Sequence, residues 1–309
     1  MRFFKGTNID FIGNRYKFFF ITVITFLLCL GAYIYKGGPN YGIDFTGGVL
    51  MQISFSDKVE MQGLRKALEQ TQIGSFELQS SDNLFIIRAK QTSSDQEEFS
   101  TAVKDAASQA FPQNKMTIER VEYVGPTVGE YLSKQALYAF FFSFLGMVIY
   151  IAFRFKSSLW GASTILGIIY VVATVFGFTV MVGKEVDITV IAALLTVAGY
   201  STNDVIVLFD RIRENLKLMA KQDFAFIINK SINQILLRSI VTTITVFIVA
   251  CVLFFLGGEV LHTFAYIMII GLVIATYSSI FLCAPLIYEW ETRKRERMKA
   301  ARLQLSSKK

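Results

Sequence analysis

Six long apolar runs limit what this chain can become. They are Phe18–Tyr35, Ala136–Phe153, Leu159–Val182, Ile188–Phe209, Ser239–Leu256 and Thr263–Tyr288. Each is close to the roughly 20 residues that a helix needs to cross about 30 Å of hydrocarbon. Lipid offers no partner to a bare peptide group, so such runs must close their hydrogen bonds internally as helices. With 53% of 309 residues hydrophobic and only 18% charged, a water-soluble globule is excluded for most of the length. The pattern predicts a polytopic α-helical membrane protein of six transmembrane helices.

The expected organisation is a cytoplasmic arm 1–17, membrane helices 18–35, 135–153, 159–182, 187–209, 238–256 and 263–288, and three further segments. These are an extracytoplasmic domain 36–134, a cytoplasmic amphipathic segment 210–237 and a basic cytoplasmic tail 289–309. Orientation follows from Lys and Arg. With the N-terminus inside, 20 of the 31 basic residues fall on the inner side, and the short outer loops hold only Lys184. The positive-inside rule then puts both termini in the cytoplasm. The net charge of +7 is thereby read as a topology signal, and nucleic acid is excluded as a partner. The arm, with Phe3, Phe4, Phe11 and Tyr16 among its cations, is expected to lie at the membrane surface against lipid. The stretch 210–237 alternates Ile212, Leu216, Met219 and Phe226 with Arg213, Lys217, Lys221 and Lys230, which also suits a helix lying on the inner surface.

Region 36–134 reads differently. Val49, Met51, Ile53 and Phe55 alternate as a half-buried strand, and 59–71 carries helical spacing through Met61, Leu64 and Leu68. Strands at Phe76–Leu78 and Leu84–Arg88 flank a turn. A helix over 95–110, with Phe99, Val103 and Ala107 in one stripe, and a strand at Met116–Val124 complete the order β-α-β-β-α-β. That order predicts a small α+β ferredoxin-like domain. Pro126 and Gly129, in GPTVG, make either a stiff elbow back to the membrane or a plain connector.

The fourth apolar run holds an acid, Asp204, among small and polar neighbours: Gly199, Tyr200, Ser201, Thr202 and Asn203. A carboxylate at that depth costs at least about 2.5–3.5 kcal/mol unless it is protonated, paired or wetted, so it is a functional candidate by default. Burial and a nearby cation act on such a group in opposite directions, which makes proton exchange near neutral pH chemically available. Asp210 and Arg211 follow about 9 Å along the helix. Arg238, at the start of the fifth run, is the expected partner cation of Asp204, with Thr242 one turn on. The competing readings are a carboxyl that merely locks two helices together and an arginine that merely snorkels. Glycines and small residues elsewhere, including Gly146, Gly161, Gly167, Gly177, Gly271 and Ser279, suggest close helix contacts. Cys29, Cys251 and Cys283 lie inside apolar runs and read as small hydrophobes. One histidine, His262 in a short loop, rules out a histidine metal site, and no metal is expected. No Walker loop, dinucleotide fingerprint, zinc motif or nucleophile elbow occurs, so neither a cofactor nor an enzyme activity is expected.

Four stretches together carry a resemblance. GIDFTGG at 42–48 (with Gly42, Asp44, Gly47 and Gly48), VGPTVGEYL at 124–132 (with Gly125, Pro126 and Gly129), DITVIAALLTVAGYSTNDVIVLFDRIREN at 187–215 and SINQILLRSIVTTITVF at 231–247 resemble the SecF family of protein-export subunits, within the resistance-nodulation-division superfamily. The resemblance implies a partner SecD, association with SecYEG and YajC, and an unfolded preprotein as cargo. It also implies the proton motive force as energy source at the cytoplasmic membrane. Asp204 matches the family's membrane acid and Arg238 its functional arginine. Protons are the implied coupling ion, with sodium ions the alternative. Two other readings stand beside it: half of a small-molecule or lipid exporter of the same superfamily, and a passive scaffold for translocon assembly.

Overall fold

The computed structural model describes residues 8–306 apart from 72, 74, 75, 82, 90–95 and 156. Two compact units are formed, residues 41–139 and residues 1–40 with 140–309.

In the smaller unit, β1 (Gly48–Phe55), β2 (Phe76–Ser81), β3 (Leu84–Ala89) and β4 (Met116–Val124) make one antiparallel sheet in the order β2-β3-β1-β4. Helices α2 (Met61–Glu69) and α3 (Gln96–Ala110) are the crossovers. This is the ferredoxin-like arrangement expected from the sequence. Val49, Met51 and Ile53 are buried together with Leu64 and Leu68 of α2 and Phe99, Val103 and Ala107 of α3, so the period-2 and period-3.6 stripes meet in one core.

The larger unit holds the membrane helices, except that residues 126–139, the first half of one of them, belong to the smaller unit. Six helices are long and apolar enough to cross a bilayer. They are α1 (Arg15–Tyr35), α4 (Pro126–Arg154), α5 (Ser158–Val182), α6 (Ile188–Leu218), α7 (Phe224–Leu256), and a last one built of α8 (Gly258–Tyr277), a π-helical turn (Ser278–Cys283) and α9 (Ala284–Ser306). The chain is a multi-pass membrane protein. Its centre is α5, α6 and α8, joined by α7. Small residues set the approach: a Cβ at Gly271 of α8 would overlap the Val197 side chain of α6, and one at Gly177 of α5 would overlap Cys29 of α1. Gly146, in contrast, faces open space.

Three expectations need correction. The segment 210–237 is no separate surface helix. Helices α6 and α7 simply continue through it, with 31 and 33 residues, or about 46 and 50 Å of rise. Most of its apolar side (Ile212, Phe224, Ile228, Ile232) packs into the bundle's own core with Ile287 of α9, and of its large apolar side chains only Leu218 and Phe226 stay exposed. The described part of the arm is likewise tucked in. Asn229 Oδ1 accepts the Phe11 and Ile12 N–H groups at 3.0 Å. Asn233 exchanges two hydrogen bonds with the backbone of Ile9, and Phe11 and Ile12 are buried. His262, expected in a loop, lies in the first turns of α8 near Lys184, 3.3 Å away.

Candidate functional site

Helix α6 begins where the Asp187 carboxylate accepts the Val190 N–H at 2.7 Å, an N-cap that satisfies a donor otherwise orphaned. Asp204 lies about 24 Å further along, in mid-helix. Its side of the helix is the buried one, shared with Val197, Ala198, Ser201, Val205 and Leu208, and Asp204 is only 9% exposed.

Two hydroxyls hold the carboxyl. Ser239 Oγ of α7 donates to Oδ1 at 2.6 Å, and Ser279 Oγ donates to Oδ2. Ser279 belongs to the π-helical turn, a feature that recurs at functional sites because the widened turn re-aims side chains and frees backbone groups. That turn is seated on α5. Ser163 Oγ donates to the Cys283 carbonyl at 2.9 Å, Ser278 Oγ donates to the Gly167 carbonyl at 3.3 Å, and a Cβ at Gly167 would collide with Cys283 Sγ. Ser279 Oγ also lies 3.0 Å from the Thr276 carbonyl. A further chain of hydroxyls runs beside the acid: Tyr200 to Thr243 at 3.1 Å, and Thr243 to Thr276 at 2.9 Å.

The pairing of Asp204 with Arg238 is not found. Arg238 is exposed, and among the described residues no cation lies within ion-pair distance of Asp204. The reason is helical geometry: α7 turns Ser239 toward α6, which rotates its neighbour Arg238 some 100° away. Thr242 is exposed too and bonds back to the Arg238 carbonyl at 2.9 Å. Asn203 is exposed, Thr202 is buried and bonded to the Ala198 carbonyl at 2.8 Å, and the buried Ser201 Oγ has no partner among the described residues.

Asp210 and Arg211 belong to a second, structural cluster. Asp210 pairs with Arg154 and lies 3.9 Å from Arg213. Arg211 donates to Gln234 at 2.8 Å, and the buried Asn215 donates to Gln234 and to Ser231. These bonds pin the ends of α6 and α7 side by side.

The glycine motifs form a third place, inside the smaller unit. Gly42 caps the single helical turn Ile43–Thr46, which carries the half-buried Asp44. Gly47 and Gly48 have φ of 68° and 131°, values that an L side chain resists. Gly48 pairs with Val124, the residue before Gly125. A Cβ on Gly47 would stand 3.0 Å from Pro126 Cα, and one on Gly129 would stand 2.8 Å from Gly47 N. The two motifs are halves of one backbone-to-backbone contact. GPTVG opens helix α4, with Pro126 in its first position, where a missing N–H costs nothing. It is a helix start rather than an elbow.

Sequence reasoning named Ser239 only as the first residue of the fifth apolar run and Ser279 only as a small residue. Their meeting on Asp204 comes from residues 35 and 75 positions away, and no local signal marks it.

The family model for the SecD/SecF protein export membrane protein, C-terminal, matches residues 102–293, and that for the SecD/SecF GG motif matches residues 34–59. The chain belongs to the SecD/SecF family. It is 61% identical to the protein translocase subunit SecF of Endomicrobium trichonymphae over 97% of both chains. It is 38% identical to that of Thermodesulfovibrio yellowstonii, over 91% of this chain and 94% of the other. Within the SecD/SecF family it therefore stands with the SecF subunits of the translocase. Among solved structures it resembles SecDF of Thermus thermophilus, a translocon-associated membrane protein, at 34% identity with a TM-score of 0.82. The likeness covers 93% of this chain but only 39% of that one, so the chain spans about two fifths of the solved SecDF.

Proposed function

We propose that this chain is the SecF half of a SecD–SecF complex in the cytoplasmic membrane, with both termini in the cytoplasm, that works with SecYEG and YajC. It uses inward proton flow to draw unfolded preproteins across, and Asp204 is the group that takes up and releases the proton. The observation that carries this reading is the Asp204 clamp: a carboxyl in mid-membrane, held by two hydroxyls and, among the described residues, by no cation.

The clamp suits two protonation states equally. Ser and Thr hydroxyls own a single hydrogen each but can accept as well. When Asp204 is ionised, Ser239 and Ser279 both donate to it. When it is protonated, its O–H can donate to Ser279 Oγ while Ser279 turns its hydrogen to the Thr276 carbonyl, 3.0 Å away. Neither state leaves a group of the clamp unpaired, so a proton can load and leave without a large local penalty. That turn of one hydroxyl acts on the π-helical segment between α8 and α9, a natural place for loading to alter helix packing.

A single chain leaves the machine unfinished. Thr196, Gly199 and Asn203 of α6 and Arg238, Thr242 and Thr245 of α7 are exposed along apolar helices. Lipid does not favour such surfaces; a second helical subunit such as SecD does. Arg238 is proposed to act there, as a charge facing the second half. Each proton crossing about 150 mV releases roughly 3.5 kcal/mol. Fully inverting a 1:99 equilibrium takes about 5.5 kcal/mol, so one proton biases a conformational cycle and two complete it. The test is export into vesicles carrying the assembled complex, with a proton gradient or a sodium gradient imposed. Asp204→Asn should abolish the gradient's effect, and an undiminished effect would overturn the reading.

A further inference from the structure

We propose that a groove between the start of α5 and the middle of α9 is a binding site for an anionic phospholipid. In it the headgroup phosphate lies against Lys294 and Arg297, and an acyl chain lies along α5.

The groove is open along one side and has a volume of about 650 Å³, in the range of small-molecule sites. One wall is a single stripe of α9: Trp290, Arg293, Lys294, Arg297 and Met298, at spacings of three and four residues. The other is the first turn of α5, including Leu159. None of the lining residues is acidic. Two acids of α9 are already bonded, and a third, Glu296, does not line the groove. Glu289 accepts from Arg15 at 2.6 Å and from Tyr16 at 3.2 Å, with Arg293 at 3.5 Å, and Glu291 accepts the Trp160 indole N–H at 3.3 Å. Arg295, on the other side of the helix, stacks over Phe224 at 4.7 Å. Lys294 and Arg297 have no ion-pair partner among the described residues. Arg293 is partly neutralised by Glu289, but Lys294 and Arg297, three residues apart on the stripe, repel each other, and an anion in the groove relieves that.

What favours a lipid over a free anion is the apolar track that leaves the groove. Down α5 from Leu159, the outward stripe continues through Leu166 and Ile169, each 45% exposed, into the membrane-spanning run. Charge at one end and a hydrocarbon path from it match an anionic lipid, with Trp290 where aromatic rings favour the headgroup level. Basic pockets between helices at a membrane face are the general form of such sites.

The test uses the full-length chain in mixed micelles and its two tryptophans, Trp160 and Trp290. Phosphatidylglycerol with brominated acyl chains should quench the tryptophan emission at far lower concentration than brominated phosphatidylcholine. Each basic residue beside an anionic headgroup is worth about fivefold in affinity. The double variant Lys294→Gln, Arg297→Gln should therefore weaken the phosphatidylglycerol response about 25-fold. Arg295→Gln, Lys299→Gln, which removes equal charge outside the groove, should leave it within about twofold. Native mass spectrometry of retained phosphatidylglycerol gives a second measure that does not depend on the tryptophans. Equal quenching by the two lipids, equal losses in both double variants, or displacement by millimolar inorganic phosphate would each overturn the proposal.

Discussion

Replacing Asp204 by asparagine and by leucine should separate the role of this position in folding from its role in proton coupling. Asparagine has the same shape, one acceptor oxygen and an NH₂ donor. Ser239 can still donate to the oxygen. The NH₂ can donate to Ser279 Oγ, because Ser279 has a second acceptor in the Thr276 carbonyl at 3.0 Å. Every polar group that faces the acid thus remains paired, and Asp204→Asn should change stability by less than about 1 kcal/mol. Leucine is similar in bulk but offers neither donor nor acceptor. It leaves Ser239 without its 2.6 Å partner while Ser279 falls back on Thr276. One stranded buried hydroxyl costs about 1–3 kcal/mol, offset in part by the apolar side chain gained. The expected order of stability in detergent is therefore wild type close to Asn, with Leu below by roughly 1–2 kcal/mol. Thermal unfolding of the purified chain, followed by loss of the folded fraction on size exclusion, reads this directly. If Asn proved as destabilised as Leu, the carboxyl would need its charge to fold, and the two-state hydrogen-bond exchange would be refuted.

Three other outcomes follow from the geometry. Gly271→Ala forces α8 off Val197; overpacking of this kind costs about 1–3 kcal/mol, to be measured as a lowered melting temperature, whereas Gly146→Ala, which meets nothing, should leave it unchanged or raise it, alanine being the better helix former. Gly129→Ala should destabilise despite alanine's better helix propensity of about 1 kcal/mol, because the methyl group would press on the Gly47 backbone at 2.8 Å; faster proteolysis of residues 41–139 in the full chain would show it. Asp10 accepts from the Gly13 N–H at 2.8 Å and the Asn229 amide at 2.7 Å, and these bonds hold its pKa below the ordinary 3.8. A depressed carboxyl contributes stability above its unfolded pKa and loses it as pH falls through the folded one. Docking of residues 9–12 should thus be flat from pH 5 to 8 and loosen only below about pH 3.8. Amide exchange at Phe11 and Ile12 would follow this, and Asp10→Asn should remove the pH dependence.

The sequence by itself determined the elements and the class of fold. Six apolar runs admit no spanning structure but helices, and alternation at Val49–Phe55 with 3.6-residue stripes at Leu64–Leu68 and Phe99–Ala107 leaves little besides a helix-covered sheet. These are local patterns, set by hydrogen bonding and burial within a few turns of chain. Asp204 was legible for the same reason, since an acid inside hydrocarbon is conspicuous wherever it points. What surrounds it was not. Whether Arg238 or Ser239 faces the acid turns on the rotation of α7, and a single residue step of 100° exchanges an ion pair for a hydroxyl. Only the tertiary structure decided that rotation, by packing Ser231, Ile232, Ile235 and Ser239 inward as one face. It likewise drew 210–237 into the bundle instead of onto the membrane surface, because an amphipathic stripe records that an apolar face will be covered but not by what.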